Sequence, residues 1–438
     1  MGALDPFAKD GSGVATKDPP TTEKDAMSES NVLIIGGGAA GLSAAITSAR
    51  LGAAVTVLER DARVGRKILA SGNGRCNLTN LSVSPQAYNH PDFVTPVLGT
   101  YSCEAILSFF GTMGLLTSAD DEGRVYPTTN VAGSVLDVMR LECGHLGVDV
   151  RCEQEVVRVS VDPGSGGFQV YTREGEMVRA ETVVVATAGG SLLAGLGHGS
   201  VEEVPVLGPV RTETEPIRGL SGVRVRCAAT ILAGVADDNT GGEAVVTERG
   251  ELLFRDYGVS GIMVFDLSRY LEERCAISID LFPDVAPAEL ETMIAQRCAA
   301  LRWRTAETYF AGMIHDRVAR AVLRAAGVGL GTPVGDLPQA HLVALLKDFR
   351  LRVLGMGDPK QAQVTRGGAS VLEFDPHTMA SNRVDGLFAA GEVLDVDGRS
   401  GGFNLHWAWA SGIVAGEGAA RHAIARTADR GTNPGGSA

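Results

Sequence analysis

The stretch NVLIIGGGAAGLSAAITSARLGAAVTVLER, residues 31–60, predicts the fold of the chain. An apolar run, a glycine turn, a helical pattern and a second apolar run ending on an acid form a βαβ unit of about 30 residues. Gly36, Gly38 and Gly41 have the G-x-G-x-x-G spacing. The first allows a tight turn, the second lets a pyrophosphate approach the backbone, and the third lets the helix pack on the strand. We therefore predict a Rossmann-like α/β domain that binds a dinucleotide.

Glu59 narrows the choice of nucleotide. It ends the second strand, where a carboxylate accepts hydrogen bonds from both ribose hydroxyls. The same charge repels a 2'-phosphate, so the pattern favours FAD or NAD over NADP at this position. The first helical turn, which includes Ala39 and Ala40, offers NH groups and the positive end of the helix dipole to the pyrophosphate.

The block RDARVGRKILASGNGRCNLTN, residues 60–80, favours FAD over NAD. FAD has an additional ring and a ribityl chain, which need a second set of backbone NH groups and polar side chains. The basic members of the block are Arg60, Arg66, Lys67 and Arg75. A position on the solvent-exposed surface explains any single one of these basic residues, but it explains poorly why four of them occur in one block.

Cys76 in this block has two interpretations. Arg75 beside it would lower the pKa of a reactive thiol. The neighbouring glycines instead indicate a cradle in which a small residue fits against the cofactor, and we prefer this second interpretation because no partner cysteine or positioned histidine is evident. The seven cysteines include no CxxC pair and no His–Cys cluster, so the sequence predicts neither a disulfide framework nor a metal site.

Composition and pattern divide the chain into an outer domain built from both ends and an inserted middle. The polar, proline-bearing start is predicted to be a disordered leader or a cloning scar. The predicted parts are the leader at 1–29, the FAD-binding domain at 30–190 and 366–425, the inserted substrate domain at 191–365 with a β-rich part (191–285) and a helical part (286–350), and a disordered tail at 426–438. In the first part we expect a helix near 134–146, an antiparallel meander across 148–180 and a buried strand at TVVVAT, 182–187.

The bulk composition excludes several classes of protein. The 438 residues, 45% of them hydrophobic, indicate a globular protein, and the net charge of −13 gives no long-range attraction to nucleic acid or anionic membranes. No run of 18 apolar residues and no signal-peptide pattern occurs, so we expect a cytoplasmic protein without a membrane span.

Three motifs together resemble one protein family. They are GGGAAG (36–41), GRKILASGNGRCNLTN (65–80) and VTRGGASVLEFDPHTMASNRVDGLFAAGEVLDVDGRSGGFNLHWAWASG (364–412). Over residues 30–425 the chain resembles the bacterial FAD-binding flavoprotein family of aminoacetone-oxidase-like and dehydro-bile-acid-reductase-like enzymes. The resemblance implies a glutathione-reductase-like FAD domain formed by both chain ends, with an insert that has a β-barrel-like and a helical part.

The resemblance also implies which residues bind FAD. It assigns the pyrophosphate to Gly36–Gly41 and the ribose to Glu59. Along the cofactor towards the flavin it assigns Arg66, Lys67, Ser71, Gly74, Arg75, Cys76 and Asn77, and elsewhere Thr187, Gly189, Gly391, Glu392, Gly402, Phe403, Asn404 and Leu405. A helix that begins at the last four points its NH groups at flavin N1 and O2, which stabilises the anion of reduced FAD.

The substrate-side candidates are Tyr257, Ser260 and His406. The segment RDYGVSGIMVFDLSR, residues 255–269, resembles the family's return from the β insert towards the flavin, which makes Tyr257 and Ser260 candidate proton donors. A turn with a packed tyrosine is the alternative. His406 follows Asn404 on the terminal helix, where it either faces the ring or packs in the core.

These patterns predict an FAD-dependent oxidoreductase that acts on a small or medium organic substrate. We expect a reductase that transfers hydride from NAD(P)H through flavin N5 to an activated C=C bond. No second G-x-G-x-x-G unit occurs, so NAD(P)H is expected to dock transiently at the flavin face. One alternative is an FAD-dependent oxidase of the amine or aminoketone type that uses dioxygen. Another is a flavin-binding RNA-associated or regulatory protein, which the negative net charge disfavours.

Overall fold

Two large hydrophobic cores organise the protein. The computed structural model describes residues 31–164 and 166–432; the predicted leader and the end of the predicted tail lie outside the described residues. One core uses side chains from both ends of the chain, between Val32 and Leu193 and between Ala369 and Ala423. The other lies wholly between Val210 and Leu351. The chain therefore leaves the first core, builds the second and returns.

A parallel sheet forms the centre of the first core. Within the described ranges its strands, in spatial order, are β19 (Leu387–Ala389), β10 (Thr182–Val185), β1 (Asn31–Ile35), β2 (Ala54–Leu58) and β6 (Asp149–Arg151). All neighbouring pairs run parallel. Every residue of β10 is buried, as expected for a strand covered on both faces.

Two helices pack closely on this sheet. They are α1 (Ala39–Arg50) and α12 (Phe403–Thr432). A Cβ on Gly412 would lie 2.4 Å from the backbone oxygen of Ala40, and Ser48 Oγ donates to the Gly416 carbonyl at 2.9 Å. The described helix α12 continues past residue 425, where the tail was expected to begin.

Smaller elements complete the first domain. They are α2 (Arg66–Ala70), β3 (Thr79–Asn80), α3 (Pro91–Thr100), α4 (Cys103–Thr112), β4 (Thr117–Ala119), β5 (Arg124–Pro127), α5 (Ala132–His145), β7 (Val156–Val161), β8 (Phe168–Thr172), β9 (Met177–Ala180) and α6 (Ser191–Ala194). The antiparallel meander consists of β7, β8 and β9. The segment at 149–151, which the sequence pattern places in the meander, instead pairs with β2 in the parallel sheet, where Thr56 lies opposite Asp149.

A barrel forms the second core. In the part of the chain that the structure describes, the closed barrel consists of β12 (Val210–Thr212), β15 (Gly258–Ser260), β14 (Glu243–Arg255), β13 (Arg224–Ala233), β16 (Ala276–Asp280) and β17 (Phe349–Met356). The helices that contribute to this core are α7 (Ile262–Leu267), α8 (Pro287–Ala300), α9 (Ala306–Tyr309), α10 (Asp316–Ala325) and α11 (Gln339–Lys347). The strand β17 follows the helices and closes the barrel, which the sequence pattern did not predict.

A two-stranded antiparallel ladder connects the two cores. It pairs β11 (Ser200–Val206) with β18 (Val364–Ala369), the segments by which the chain leaves and re-enters the first domain. No single helix among the described residues has the length and apolar character of a membrane span, although the bent pair α3 and α4 passes on length and composition.

Candidate functional site

Four of the predicted cofactor segments follow carboxyl ends of strands in the parallel sheet. Gly36 follows β1, Glu59 follows β2, Thr187 lies after β10, and Gly391 lies after β19. Carboxyl ends of parallel strands share one edge of the sheet, the usual ligand-binding edge of open α/β folds. The fold thus brings these four segments of the sequence to a single place.

The glycine turn has the close backbone contacts that its spacing predicts. Gly36 has φ +105°, and a Cβ there would lie 2.6 Å from the Ala186 carbonyl oxygen. A Cβ on Gly41 would lie 1.8 Å from the Gly36 oxygen, whereas one on Gly38 would meet no atom within 4 Å. The first and third glycines are therefore required for packing, and the second leaves open space in front of the first turn of α1.

Glu59 is held in place by the backbone around it. Its Oε2 accepts from Gly37 NH at 2.7 Å and its Oε1 from Asp61 NH at 2.9 Å. The residue is only 9% exposed. Each carboxylate oxygen has two lone pairs, so both oxygens keep an acceptor site for a ribose hydroxyl.

The four basic residues of the block at 60–80 differ in their contacts with other side chains. Lys67 Nζ lies 2.5 Å from Glu392 Oε2, so two predicted cofactor residues from opposite ends of the sequence contact each other. The Arg75 guanidinium lies over the Tyr126 ring at 4.5 Å. Arg60 is exposed, and Arg66 is exposed apart from a 3.5 Å contact with Asp61.

The loop around Cys76 folds back on itself. Cys76 is fully buried with φ +58°, and its NH donates to the Ser71 carbonyl at 3.1 Å. Burial raises the pKa of its thiol to about 11, so the thiol stays protonated near neutral pH. Gly74 is open, since a Cβ there would meet no atom within 4 Å. This geometry supports the cradle and speaks against a reactive thiol.

The start of α12 closes the same edge. Gly402 has φ +103°, and a Cβ there would lie 2.5 Å from the Thr79 carbonyl oxygen and 2.8 Å from Asn77 Oδ1. Asn77 Oδ1 is buried and has no hydrogen-bond partner among the described residues. The Asn404 side chain accepts from Gly398 NH at 2.8 Å and donates to the Gly398 carbonyl at 2.9 Å, which fixes the preceding loop. Phe403 is buried and Leu405 is half-buried.

The remaining predicted cofactor residues lie on the turns after β10 and β19. Thr187 Oγ1 donates to the Gly189 carbonyl at 3.3 Å. Gly391 has φ +76°, and a Cβ there would lie 2.8 Å from Ala40 Cβ at the start of α1. Together with the orphaned Asn77 oxygen, this glycine-lined edge fits a nucleotide cofactor bound against backbone.

The three substrate-side candidates lie in different settings. The fully buried His406 ring contacts Thr79 Oγ1 at 2.7 Å and the Tyr101 carbonyl at 2.9 Å, and burial lowers its pKa to about 4. Both ring nitrogens are thus occupied, which favours packing over proton donation. Tyr257 lies in the turn between β14 and β15, and Ser260 is buried in β15 of the barrel.

A polar junction between the barrel and the loop before α12 was not predicted. We define it as Asp395–Ser400 with its partners. Arg269 Nε lies 2.6 Å from Asp397 Oδ2, with side chains only 5% and 1% exposed. The Ser400 NH and hydroxyl donate to Asp266 at 2.6 and 2.9 Å. A signal was present in the sequence, since Asp397 lies in the quoted C-terminal motif and Asp266 and Arg269 in the 255–269 segment.

The pKa values of acids and a histidine are shifted at this junction. The hydrogen bond with Asp395 raises the pKa of His90. Burial raises the pKa of Asp266 and of Glu248, which pairs with Arg399. Clusters of shifted groups at a domain boundary are typical of functional sites. No group of three or more His, Cys, Asp or Glu side chains in the described ranges is arranged to hold a metal ion.

The family follows from comparison with known proteins. The HI0933-like protein Rossmann domain matches residues 30–418. The chain belongs to this HI0933-like family. The family binds FAD, which confirms the resemblance of the sequence motifs, and the HI0933-like chain is an FAD-dependent oxidoreductase.

Three curated relatives of this HI0933-like protein align over nearly their full length. The 3-dehydro-bile acid delta(4,6)-reductase of Clostridium scindens is 31% identical, over 88% of this chain and 98% of that protein. The ribosomal RNA dihydrouridine synthase of Haemophilus influenzae is 28% identical, over 86% of this chain and 96% of that protein. The Escherichia coli protein of the same name is 30% identical, over 88% and 96%.

Proposed function

We propose that the protein is an FAD-dependent reductase of a C=C bond conjugated to a carbonyl group, with NAD(P)H as the hydride donor. The names of the relatives support the reaction. One reduces ring C=C bonds of a 3-dehydro bile acid, and the others form dihydrouridine, which is uridine with its ring C=C bond saturated. In both substrates a carbonyl activates the bond that is reduced, so one chemistry covers all three relatives.

The carboxyl edge of the sheet supplies the proposed cofactor contacts. The first turn of α1 offers NH groups to the pyrophosphate, Glu59 accepts from the ribose, and the unpartnered Asn77 Oδ1 accepts a donor of the cofactor. Bound FAD supplies the hydride-transfer chemistry. The chain contributes orientation, because each of these groups is held by backbone contacts that glycines make close.

The start of α12 is proposed to stabilise negative charge at the flavin. Three NH groups of its first turn belong to Phe403, Asn404 and Leu405, and this helix is 30 residues long. Unpaired NH groups at a helix N-terminus and the helix dipole favour an anion. The Asn404 bonds to Gly398 keep that first turn in a fixed position.

A small organic molecule is the proposed substrate class. The net charge of −13 disfavours a polyanion, and the relative at 31% identity acts on a bile acid. Ribosomal RNA is the second candidate, because two relatives at 28% and 30% identity are ribosomal RNA dihydrouridine synthases. The role of Tyr257 and Ser260 as proton donors stays a prediction.

Anaerobic stopped-flow absorbance tests the reductase reaction. We expect NADH or NADPH to bleach the flavin of the purified protein, and 4-androstene-3,17-dione or 2-cyclohexen-1-one to restore the colour of the reduced protein without dioxygen. If neither nicotinamide bleaches the flavin, the proposal fails. Reoxidation by dioxygen alone, with an amine as the reductant, would instead support the oxidase alternative.

A second measurement separates the two substrate classes. Ribosomal RNA from cells that lack dihydrouridine is incubated with the protein and NAD(P)H, and its dihydrouridine content is measured by mass spectrometry. We expect no increase. Dihydrouridine formation together with no reoxidation by either enone would make RNA the substrate.

A further inference from the structure

We propose that His90, oriented by Asp395, is the proton donor of this reduction. The inference rests on the proposed function, because reduction of a conjugated C=C bond needs a proton as well as a hydride. The sequence offered Tyr257, Ser260 and His406 for this role. The structure brings together a different pair, from positions 90 and 395.

The pair has the geometry of a histidine held by a carboxylate. His90 Nε2 lies 2.8 Å from Asp395 Oδ2. The other oxygen, Oδ1, accepts from Gly367 NH at 3.0 Å and from Asn89 Nδ2 at 3.3 Å. The Asp395 side chain is 9% exposed, so the carboxylate is fixed from behind. A base oriented by a third group is the usual arrangement for proton transfer in enzymes.

The second nitrogen of His90 is free to reach a ligand. No atom of the described residues hydrogen-bonds to His90 Nδ1, and the side chain is 37% exposed. Three other histidines differ, since His198, His406 and His422 each have partners at both ring nitrogens. His90 thus combines a fixed carboxylate on one side with an open donor on the other.

His90 lies where the cofactor segments meet the barrel. One helical turn after His90, the ring of Phe93 packs against the ring of Trp407, with 6.1 Å between the ring centroids. Trp407 Nε1 in turn donates to the Gly391 carbonyl at 3.2 Å. On the other side, Asn89 Oδ1 accepts from Asp397 NH at 2.9 Å. Asp397 in turn pairs with Arg269, which follows α7 of the barrel. His90 therefore lies beside both the predicted cofactor segments and the barrel, and ligand sites commonly form at such domain boundaries.

The charges around His90 favour its protonated form. The hydrogen bond with Asp395 raises the pKa of His90, burial opposes this, and the charges of Asp395 and Asp397 add to the increase. Burial alone would raise the pKa of Asp395, but the His90 and Gly367 hydrogen bonds and the nearby Arg366 bring it below its usual value. The raised pKa of His90 and the lowered pKa of Asp395 both favour the pair of a protonated histidine and an ionised carboxylate.

The proposed step balances in atoms and charge. Hydride from NAD(P)H adds to the carbon β to the carbonyl, and the π electrons move to give an enolate. The α-carbon then forms a C–H bond as the Nδ1–H bond of His90 breaks, which leaves a neutral imidazole that water reprotonates. The nicotinamide is oxidised to NAD(P)+ and the C=C bond is reduced.

His90→Gln tests the inference by separating two measured rates. We expect NAD(P)H to bleach the flavin as in the unaltered protein, because that reaction needs no proton at carbon. We expect reoxidation of the reduced protein by 2-cyclohexen-1-one or 4-androstene-3,17-dione to slow by about 100-fold or more, the usual contribution of a positioned acid. His422→Gln is the matched control, since His422 also pairs with an aspartate, Asp385, at 3.1 Å and lies at the opposite edge of the sheet.

Asp395→Asn provides a second test that keeps the histidine. Removing the carboxylate removes the largest cause of the raised His90 pKa. We expect the reoxidation rate to fall as pH rises, because only the protonated His90 ring donates a proton. In Asp395→Asn the fall should occur at lower pH than in the unaltered protein. FAD content from the absorbance spectrum verifies that each variant still binds its cofactor.

Four outcomes overturn the inference in different ways. If His90→Gln is reoxidised by the enones as fast as the unaltered protein, His90 is not the donor. If bleaching and reoxidation slow equally, the pair has a packing role. If Tyr257→Phe and not His90→Gln slows reoxidation, the tyrosine is the donor. When neither enone reoxidises the unaltered protein, the proposed small-molecule substrate class fails first, and the inference that His90 protonates such a substrate fails with it.

Discussion

The two edges of the parallel sheet use glycine in different ways. At the amino edge, Gly52 and Gly147 turn the chain before β2 and β6, and a Cβ on either would meet no atom within 4 Å. At the carboxyl edge, a Cβ on Gly36, Gly41 or Gly402 would lie within 2.6 Å of a backbone oxygen. Gly52 and Gly147 therefore only reverse the chain, whereas Gly36, Gly41 and Gly402 let separate segments of the backbone approach each other closely.

The ion pairs on the two sides of the sheet also differ in how deeply they are buried. The amino-edge pair His422–Asp385 has an aspartate side chain that is 84% exposed. The junction pair Arg269–Asp397 is almost completely buried, at 5% and 1%. Burying an ion pair costs desolvation energy that packing alone would not require. The buried ion pair and the tight backbone contacts thus occur on the side of the sheet that has the predicted cofactor segments.

The largest expected effect comes from breaking the buried junction pair. Arg269→Met leaves Asp397 charged and unpaired inside the protein, and Asp397 Oδ1 already has no partner among the described residues. We expect the free energy of unfolding in urea to fall by about 3–5 kcal/mol. Asp385→Asn at the amino edge should cost less than about 1 kcal/mol. Equal losses in the two variants would remove the distinction between the edges.

The next largest effect is expected from Gly41→Ala. The added methyl group would lie 1.8 Å from the Gly36 oxygen, so α1 must move away from the turn. We expect a loss of about 3 kcal/mol and loss of bound FAD, measured by thermal denaturation and by flavin absorbance. Gly147→Asn is the control, because asparagine tolerates its φ of +72° and the position is open. Full flavin content in Gly41→Ala would contradict the cradle.

A smaller effect is expected from pH through His406. Its pKa is about 4 in the folded protein against an ordinary value of 6.5, so between these values the unfolded chain binds a proton that the folded chain does not. Stability is therefore full above about pH 6.5 and falls as pH is lowered, by at most about 1.4 kcal/mol per pH unit. Urea denaturation at several pH values should show a weaker dependence in His406→Gln. An unchanged dependence would mean that His406 is not the titrating group.

The smallest effect is expected from Cys76→Ser. A protonated, buried thiol beside the cofactor segments acts by size, so serine should keep FAD and most of the activity, at a cost of about 1 kcal/mol or less. Cys76→Leu is the contrasting variant and should lose flavin, because the loop has no room for a larger side chain. Loss of activity in the serine variant with FAD still bound would restore the reactive-thiol interpretation.

A local sequence pattern predicts the structure correctly where one short segment specifies the geometry. The turn from Gly36 to Gly41 and the position of Glu59 follow from strand, turn and helix periodicity, and the family match confirms the resemblance. The pattern did not separate the strand at 149–151 from the meander that follows it. Edge pairing depends on which neighbour is available, and a three-residue segment has no periodicity that specifies its partner.

The nucleotide-binding unit, the return of the chain to it and the family are all recognisable in the amino-acid sequence. The contacts of Arg269 with Asp397 and of His90 with Asp395 are not, because they join positions 128 and 305 residues apart. The reason is physical. A helix or a turn is specified by neighbouring residues, whereas a contact between distant segments exists only after two cores have packed and set the direction of each side chain.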